Sequence, residues 1–337
     1  MNSARPARMV DVAALAGVST SAVSKALNGT GRISEETRAR IRAAADQLGF
    51  VPHAGARSLH AQRTFTVGLL STDSAGRFSL PVVLGAENAL LAGRISALLA
   101  TARHDPVRER HHIQALVGRR VDGIIVTGRS TEPRPPIEAP VPVVYAFAPS
   151  EDPRDVSIVP DDEAGMTAIV EHLRGLGRRR LAYVGGREGH PSSGARLASA
   201  RRAAEERGMA IVGVPRNGEW SERWGRHAVD LLAADGDLDP GGADAIVFAS
   251  DQLARGGADR LRELGIRVPD DVAVTGYDDW QVMSLASRPP LTTVDMRLEE
   301  LGTRAAELLL RLVEGDRQEG VELHAPLLIA RESTLGV

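Results

Sequence analysis

Cysteine is absent from the 337 residues. Disulfides, thiolate nucleophiles and cysteine-based metal sites are therefore excluded. Aromatic residues are scarce, at 3%. Long apolar runs are missing too: Val141 to Ala148 is interrupted by Pro142 and is far too short to span a bilayer. The basic start, Met1 to Arg5, is followed by no apolar segment, so a cytoplasmic protein with no membrane partner is expected. Catalytic motifs are missing as well. The acid pairs Asp161-Asp162, Asp270-Asp271 and Asp278-Asp279 are adjacent, and neighbours on a strand or turn point apart rather than facing each other like a glycosidase pair. His111-His112 lacks the i, i+4 spacing of a zinc helix, and no phosphate-binding loop, nucleophile elbow or dinucleotide fingerprint occurs. The expectation is no enzyme, no cofactor and no metal.

Charge is present but unevenly placed. Residues 1–63 hold nine Arg/Lys and four acids, a balance of +5, whereas the rest holds 32 basic and 40 acidic residues, a balance of −8. A basic head on an acidic body suits contact with a polyanion, although charge alone fits a solvated basic helix equally well. The basic residues are almost all Arg; Lys25 is the single lysine. The length suggests two or three domains.

The head reads as three short helices within residues 9–50. The first spans about Met9 to Ala16 and turns at Gly17-Val18. Ser19 then stands as an N-cap for a second helix that runs to about Leu27 and ends at Asn28-Gly29. Ser34 caps a third helix, with Glu35 and Glu36 in its first turn and Ile41, Ala44, Ala45 and Leu48 facing inward. In the second helix Val18, Ala22, Val23, Ala26 and Leu27 share one face, and Thr20, Ser21, Ser24, Lys25 and Asn28 the other. Short polar groups of this kind let a helix approach base edges, while also fitting a plain amphipathic surface helix. Residues 51–63 read as a connector in which 54–61 could form a short helix weakened by Gly55.

Beyond Phe65 the pattern changes. Strand-like runs at 65–71, 95–100, 121–126, 141–147, 180–185, 210–214, 243–249 and 272–276 alternate with helical stretches near 81–92, 107–117, 162–175, 196–207, 224–234, 251–264 and 298–313. This alternation predicts an α/β body of parallel sheets covered by helices, with too many units for one small sheet and hence two lobes. The proline-rich stretch Pro133 to Pro142 reads as a loop before a strand.

The run VDVAALAGVSTSAVSKALN (Val10 to Asn28), continued by Ile33 to Arg38 and Leu48 to Pro52, resembles the opening of the lactose/galactose-repressor (LacI/GalR) family. The resemblance continues through Arg120 to Ile125, Gly177 to Gly186, Val268 to Val274, Gly276 to Asp279 and Pro289 to Val294. It implies an all-α helix-turn-helix head (1–51), a hinge helix (52–63) and a two-lobed, periplasmic-binding-protein-like effector domain (64–337). The N-lobe is expected at about 64–160 and 292–320, and the C-lobe at about 161–291 and 321–337.

The implied function is a repressor that reads a palindromic DNA operator as a homodimer and answers to a small-molecule effector. Thr20, Ser21 and Lys25 fall at base-reading positions; Ser19, Ala22, Ser24, Asn28 and Ser34 fall near phosphates, although Ala22 lacks a hydroxyl. Lys25 stands where many relatives carry Arg and lacks its planar fork. Ala56 and Leu59 fall in the hinge helix, Leu59 being the family's minor-groove wedge. With no leucine-heptad tail before Val337, a dimer rather than a tetramer is expected.

For the effector, the resemblance implies Arg196, Asp278 and Trp220 as ligand contacts. An Arg, a carboxylate and an indole suit sugar hydroxyls and a sugar's C–H face. Other positions depart from the family pattern: Phe147 replaces a common Asp, Ser250 replaces a common Asn, and the loop Asp73 to Phe78, with Ser74 and Phe78, lacks the usual Asn-Pro-Phe. Trp224 and Trp280, nearby in sequence, suggest a more aromatic pocket. A carbohydrate is the expected effector; a purine or another small metabolite remains open within the same fold. A periplasmic sugar-binding protein would share the body but not the head.

Overall fold

The computed structural model describes residues 7–27, 31–50, 63–73 and 76–336. They fall into two compact units. One holds the chain up to Thr66 together with Arg120–Asp122; the other holds Val67–Arg119 and Gly123 onward. Asp122 joins the first because its carboxylate accepts the backbone N–H of Thr64 and of Phe65, both at 2.7 Å.

The first unit contains α1 (Met9–Ala16), α2 (Thr20–Leu27) and α3 (Glu35–Gln47). Each begins where a short polar side chain satisfies free backbone donors. Asp11 accepts the Arg8 N–H at 2.7 Å, Ser19 accepts the Ala22 N–H at 3.2 Å, and Ser34 accepts the Thr37 N–H at 3.3 Å. Gly17 ends α1 in the left-handed region (φ 65°), which a side chain at that position would strain. The chain then bends by 100° into α2, the crossing of a helix-turn-helix. The three helices bury Val12, Ala16, Val23, Ala26, Ile41 and Ala45 against one another. Arg38 of α3 donates to the Ala26 carbonyl at the end of α2 (3.1 Å).

In the second unit, the first lobe is a six-stranded sheet of order β12-β5-β4-β3-β1-β2. Its strands are β1 (Thr66–Ser71), β2 (Ser96–Thr101), β3 (Gly123–Thr127), β4 (Val143–Ala146), β5 (Val156–Pro160) and β12 (Gly320–His324). Parallel register is explicit in the pairs Val67↔Gly123, Ile124↔Val143, Val144↔Val156 and Gly320↔Val156. Because helices cover both faces, β3 is apolar from Gly123 to Val126 rather than alternating, and only Thr127 at its end is polar. The helices are α4 (Ser79–Ala92), α5 (Pro106–Gly118) and α11 (Leu298–Val313). α4 and α11 approach closely through reciprocal glycines. A Cβ on Gly85 would sit 1.8 Å from the Glu299 carbonyl oxygen, and one on Gly302 2.0 Å from that of Val82.

The second lobe has a five-stranded sheet of order β10-β9-β6-β7, with β8 also paired to β6. Its strands are β6 (Arg180–Gly185), β7 (Ala210–Ile211), β8 (Arg216–Asn217), β9 (Ala245–Phe248) and β10 (Ala273–Thr275). Around it lie α6 (Asp162–Gly175), α7 (Pro191–Glu206), α8 (Glu222–Ala234), α9 (Asp251–Glu263) and α10 (Gln281–Ser284). β11 (Thr293–Asp295) and β13 (Leu327–Ile329) pair antiparallel where the chain passes between lobes, and α12 (Glu332–Leu335) ends against the second lobe through the Ser333–Val274 hydrogen bond.

One boundary differs from expectation. Residues 321–324, expected in the C-lobe, extend the first lobe's sheet alongside β5, and the chain returns to the second lobe only after His324. The cause is the β5 strand itself, which the sequence reading did not include and which offers an edge for pairing. No single helix among the described residues is long and apolar enough to cross a membrane.

Candidate functional site

In the first unit, α2 presents its polar face outward. Ser19, Thr20, Ser21 and Lys25 are exposed, as is Ser34 at the start of α3; Ala22 and Ser24 are half-buried; Val23 and Ala26 are buried. Short hydroxyls thus stand at the N-terminal end of an exposed helix whose other face is fixed by the core. That end also carries the positive end of the helix dipole, which suits phosphate. Asn28, Ala56 and Leu59, expected at the DNA interface, lie outside the described residues.

In the second unit a cavity of about 500 Å³ lies between the lobes. It brings together six of the seven residues expected to meet the effector: Phe78, Phe147, Arg196, Trp220, Ser250 and Asp278. Ser74 lies outside the described residues. The polar centre is Arg196 on α7, only 4% exposed. Its Nε donates to Asp162 Oδ1 (2.9 Å), its Nη1 donates to the Ala249 carbonyl (2.7 Å) and stands 3.6 Å from Asp278 Oδ1, and its guanidinium lies 3.7 Å over the Tyr277 ring. Burial works against the charge, but Asp162, Tyr277 and Asp278 outweigh it, so the guanidinium is held more firmly protonated than usual.

Asp278 follows β10 and the buried Tyr277, with its own backbone N–H bonded to the Val294 carbonyl (2.9 Å) and φ at 107°. Phe147 likewise has φ 79°, with its N–H on the Ile158 carbonyl (2.9 Å). Both hold backbone conformations that non-glycine residues avoid, and both face the cavity, as strained residues at ligand sites often do. Burial pushes the Asp278 carboxyl above its usual value, while Arg77 and Arg196 pull it back.

Arg77 was not singled out in the sequence. It reaches from the loop before α4 in the first lobe to Asp278 Oδ2 in the second, with its guanidinium 4.5 Å over the Phe78 ring and 4.2 Å over the Trp280 ring. Thr131 and Ser192 share a hydroxyl–hydroxyl hydrogen bond elsewhere on the cavity wall, so a polar contact crosses the cleft there too.

Aromatic faces supply the apolar part. Phe78 and Phe147 stack at 5.1 Å with a 20° tilt, and the His190 ring meets the Trp220 indole edge-on at 5.7 Å. Burial lowers the His190 pKa below its usual value. The Trp220 indole lies against the Gly186 backbone, where a Cβ would stand 2.1 Å from the ring. Ser250 caps α9 through the Leu253 N–H (3.3 Å) and also reaches the cavity wall. The two other tryptophans do not line this cavity: Trp224 donates its indole N–H to the Gly185 carbonyl (3.0 Å), and Trp280 packs behind Arg77 in an outer groove.

The adjacent acids are mostly divided between tasks. Asp161 caps α6 (Ala164 N–H, 2.9 Å) while Asp162 holds Arg196; Asp278 faces the cavity while Asp279 pairs with Arg331 (2.8 Å). Asp270 and Asp271 both reach the exposed Arg267. Among the described residues no group of three His, Cys, Asp or Glu is placed to hold a metal ion.

Comparison with known proteins agrees with both units. Residues 8–53 match the model of bacterial regulatory proteins of the lacI family, and residues 170–334 match a periplasmic binding protein-like domain. The transcriptional repressor PurR of Vibrio vulnificus is 32% identical over 337 residues, covering 97% of this chain and 98% of PurR. The transcriptional regulator CelR of Thermobifida fusca is 35% identical over 335 residues, with 96% of each chain covered. A solved lac repressor dimer bound to operator and the anti-inducer ONPF superposes with a TM-score of 0.76 at 27% identity, over 98% of this chain and 100% of that one. A solved CelR–cellobiose complex does so with 0.66 at 30%, over 97% and 99%. Head, two-lobed body and full-length relatives together place this chain in the LacI family of bacterial transcriptional regulators.

Proposed function

We propose that this protein is a transcriptional repressor that binds a palindromic operator as a homodimer and whose operator affinity is set by a carbohydrate held between the lobes. The observation that carries the effector reading is the interlobe cavity, where a buried guanidinium–carboxylate pair, Arg196 and Asp278, stands beside the Phe78–Phe147 stack and Trp220. Charged partners of this kind hold hydroxyls by charge-assisted hydrogen bonds, and an indole face packs a sugar's C–H groups. Phe78 and Phe147 stack directly on each other, which leaves no slot between them for a flat base. CelR with cellobiose is a relative of the same architecture.

For DNA, α2 lies in the major groove, with Thr20, Ser21 and Lys25 toward base edges and Ser19, Ser24 and Ser34 toward phosphates. Two-fold pairing of bodies matches two-fold symmetry of the site, as in the lac repressor dimer on its operator. Leu59 of the hinge segment enters the minor groove and unstacks the central step. Sugar binding alters the angle between the lobes and thereby operator affinity, so DNA and sugar affinities are linked reciprocally. The work is done on DNA, in the bacterial cytoplasm, without catalysis.

Selection of the purified protein against randomised duplex DNA tests the DNA half. The expected product is a short palindrome with a pyrimidine–purine step at its centre. Enrichment of no motif, or of an asymmetric one, contradicts the dimeric reading.

A further inference from the structure

A second cavity, about 490 Å³ and thus as large as the interlobe one, lies wholly within the first lobe. It sits beyond the carboxyl ends of β1, β3 and β4, where Thr72, Thr127 and Ala148 line it. β1 stands between β2 and β3, so the crossovers leave it in opposite directions; in open parallel sheets this switch point forms a natural ligand crevice. One group at its base lacks a partner: Thr127 is 4% exposed, and its hydroxyl makes no hydrogen bond in the described structure. A buried hydroxyl left unpaired is unfavourable unless something else meets it.

The walls set three arginines (Arg110, Arg129, Arg134) against three acids (Asp105, Glu109, Glu132), a balance that suits a neutral, polyhydroxylated guest. Pro106, Pro133 and Pro135 offer pyrrolidine C–H surface, and this gives the proline-rich loop a role. Glu109 and Arg134 neutralise each other at 2.6 Å, so no uncompensated charge is buried there. The two cavities also share a border: Arg129, Ser130 and Glu132 line both. Arg129 and Glu132 are exposed, and among the described residues neither side chain forms an ion pair, so both are available to a guest crossing that strip.

We propose that the second cavity is a distal subsite of the effector site, and that the effector is a linear oligosaccharide with one end at Arg196 and Asp278 and a further sugar unit beyond the 129–132 strip. The inference rests on the carbohydrate reading above and goes past it in fixing the ligand's length.

The test is calorimetric titration of the full chain with ladders of glucose, xylose, mannose and galactose oligomers of one to five units. In the ladder that binds, affinity rises about tenfold or more at the length that reaches the second cavity. Thr127→Val, nearly isosteric, lowers affinity for that longer oligomer by about two- to twelvefold, the span of one hydrogen bond. Ala148→Leu, which adds three carbons at the cavity wall, cuts the gain further by obstructing the longer oligomer. Both variants bind the short oligomer as the wild type does, which also shows that they are folded. Two results overturn the proposal while leaving the carbohydrate reading intact: a short sugar whose affinity gains nothing with length, or variants that weaken short and long oligomers alike. Failure of every ladder at every length overturns the carbohydrate reading and the subsite with it.

Discussion

Replacing Arg196 with Met keeps most of the side chain's volume and removes its charge. In the structure this takes a cation from two carboxylates. Asp162 loses the Nε donor at 2.9 Å, and Asp278 loses one of its two cations, while the Ala249 carbonyl loses its 2.7 Å donor. Removing one partner of a buried ion pair typically destabilises by about 3–5 kcal/mol, chiefly through the charge left behind. In a body of this size that amounts to roughly 6–20 °C in melting temperature. Asp162→Asn should do less harm, because Arg196 keeps Asp278 and Ala249. The double variant should be milder than the sum of the two, since it strands one carboxylate fewer. Differential scanning calorimetry of the three proteins reads all of this. The helix-turn-helix has its own core, so its DNA binding at low temperature should survive in each. A melting temperature for Arg196→Met within a degree of wild type, or strictly additive effects, refutes the reasoning.

Gly186→Ala puts a Cβ into the Trp220 indole; it should shift tryptophan emission and weaken sugar binding while thermal stability changes little, as fluorescence titration would show. Asp251 is fully buried, accepting from the Trp280 N–H (2.7 Å) and the Thr293 hydroxyl (2.5 Å), and burial together with nearby Asp278 holds its carboxyl well above the usual value of 3.8. The folded state therefore binds this proton more tightly than the unfolded one. The associated stability is full below pH 3.8 and declines as pH rises from there toward the folded pKa. The melting-temperature difference, Asp251→Asn minus wild type, should grow more positive across that rise; a difference independent of pH contradicts it. Lys25→Ala should lower affinity for the selected operator by about ten- to a hundredfold, as expected of one base contact, while Lys25→Arg retains it in an anisotropy titration. Leu59→Ala should lower specific affinity and leave weak non-specific binding in place; equal loss of both argues against the wedge.

Local chemistry made much of the fold legible. α6 and α11 have the bounds the sequence suggested: Asp161 caps α6, and α11, which has no side-chain cap, opens with Glu299 and Glu300 in its first turn and keeps one apolar face to its end. α7 begins at Pro191 rather than near 196: Pro at the first helical position starts it, while Ser192, Ser193 and Gly194 hide the apolar period there. β5 escaped because its five residues, with Ser157 inside the run and Pro160 at its end, are squeezed between a polar turn and the start of α6, and its omission in turn misplaced β12. Six of the seven residues suggested for the effector line one cavity, and Ser74 lies outside the described residues. Arg77 was not legible, since its partner lies 201 residues away and nothing local marks an arginine as a bridge between lobes. Asp162 was weighed only as half of an adjacent acid pair, and its role as the Arg196 counter-ion is set by α7 packing on α6. The tryptophans mislead in the opposite way: nearness in sequence to Trp220 and Asp278 did not put Trp224 and Trp280 on the cavity wall.

The central claim is that the interlobe cavity controls the DNA-reading head, and the most direct test is an operator titration with and without sugar. With the palindrome recovered by selection and a sugar shown to bind, fluorescence anisotropy should report a change in operator affinity of about five- to 150-fold, and operator should change sugar affinity by the same factor. Asp278→Asn should abolish both effects together. Sugar binding that leaves operator affinity unchanged, or a response that persists undiminished in Asp278→Asn, contradicts the account.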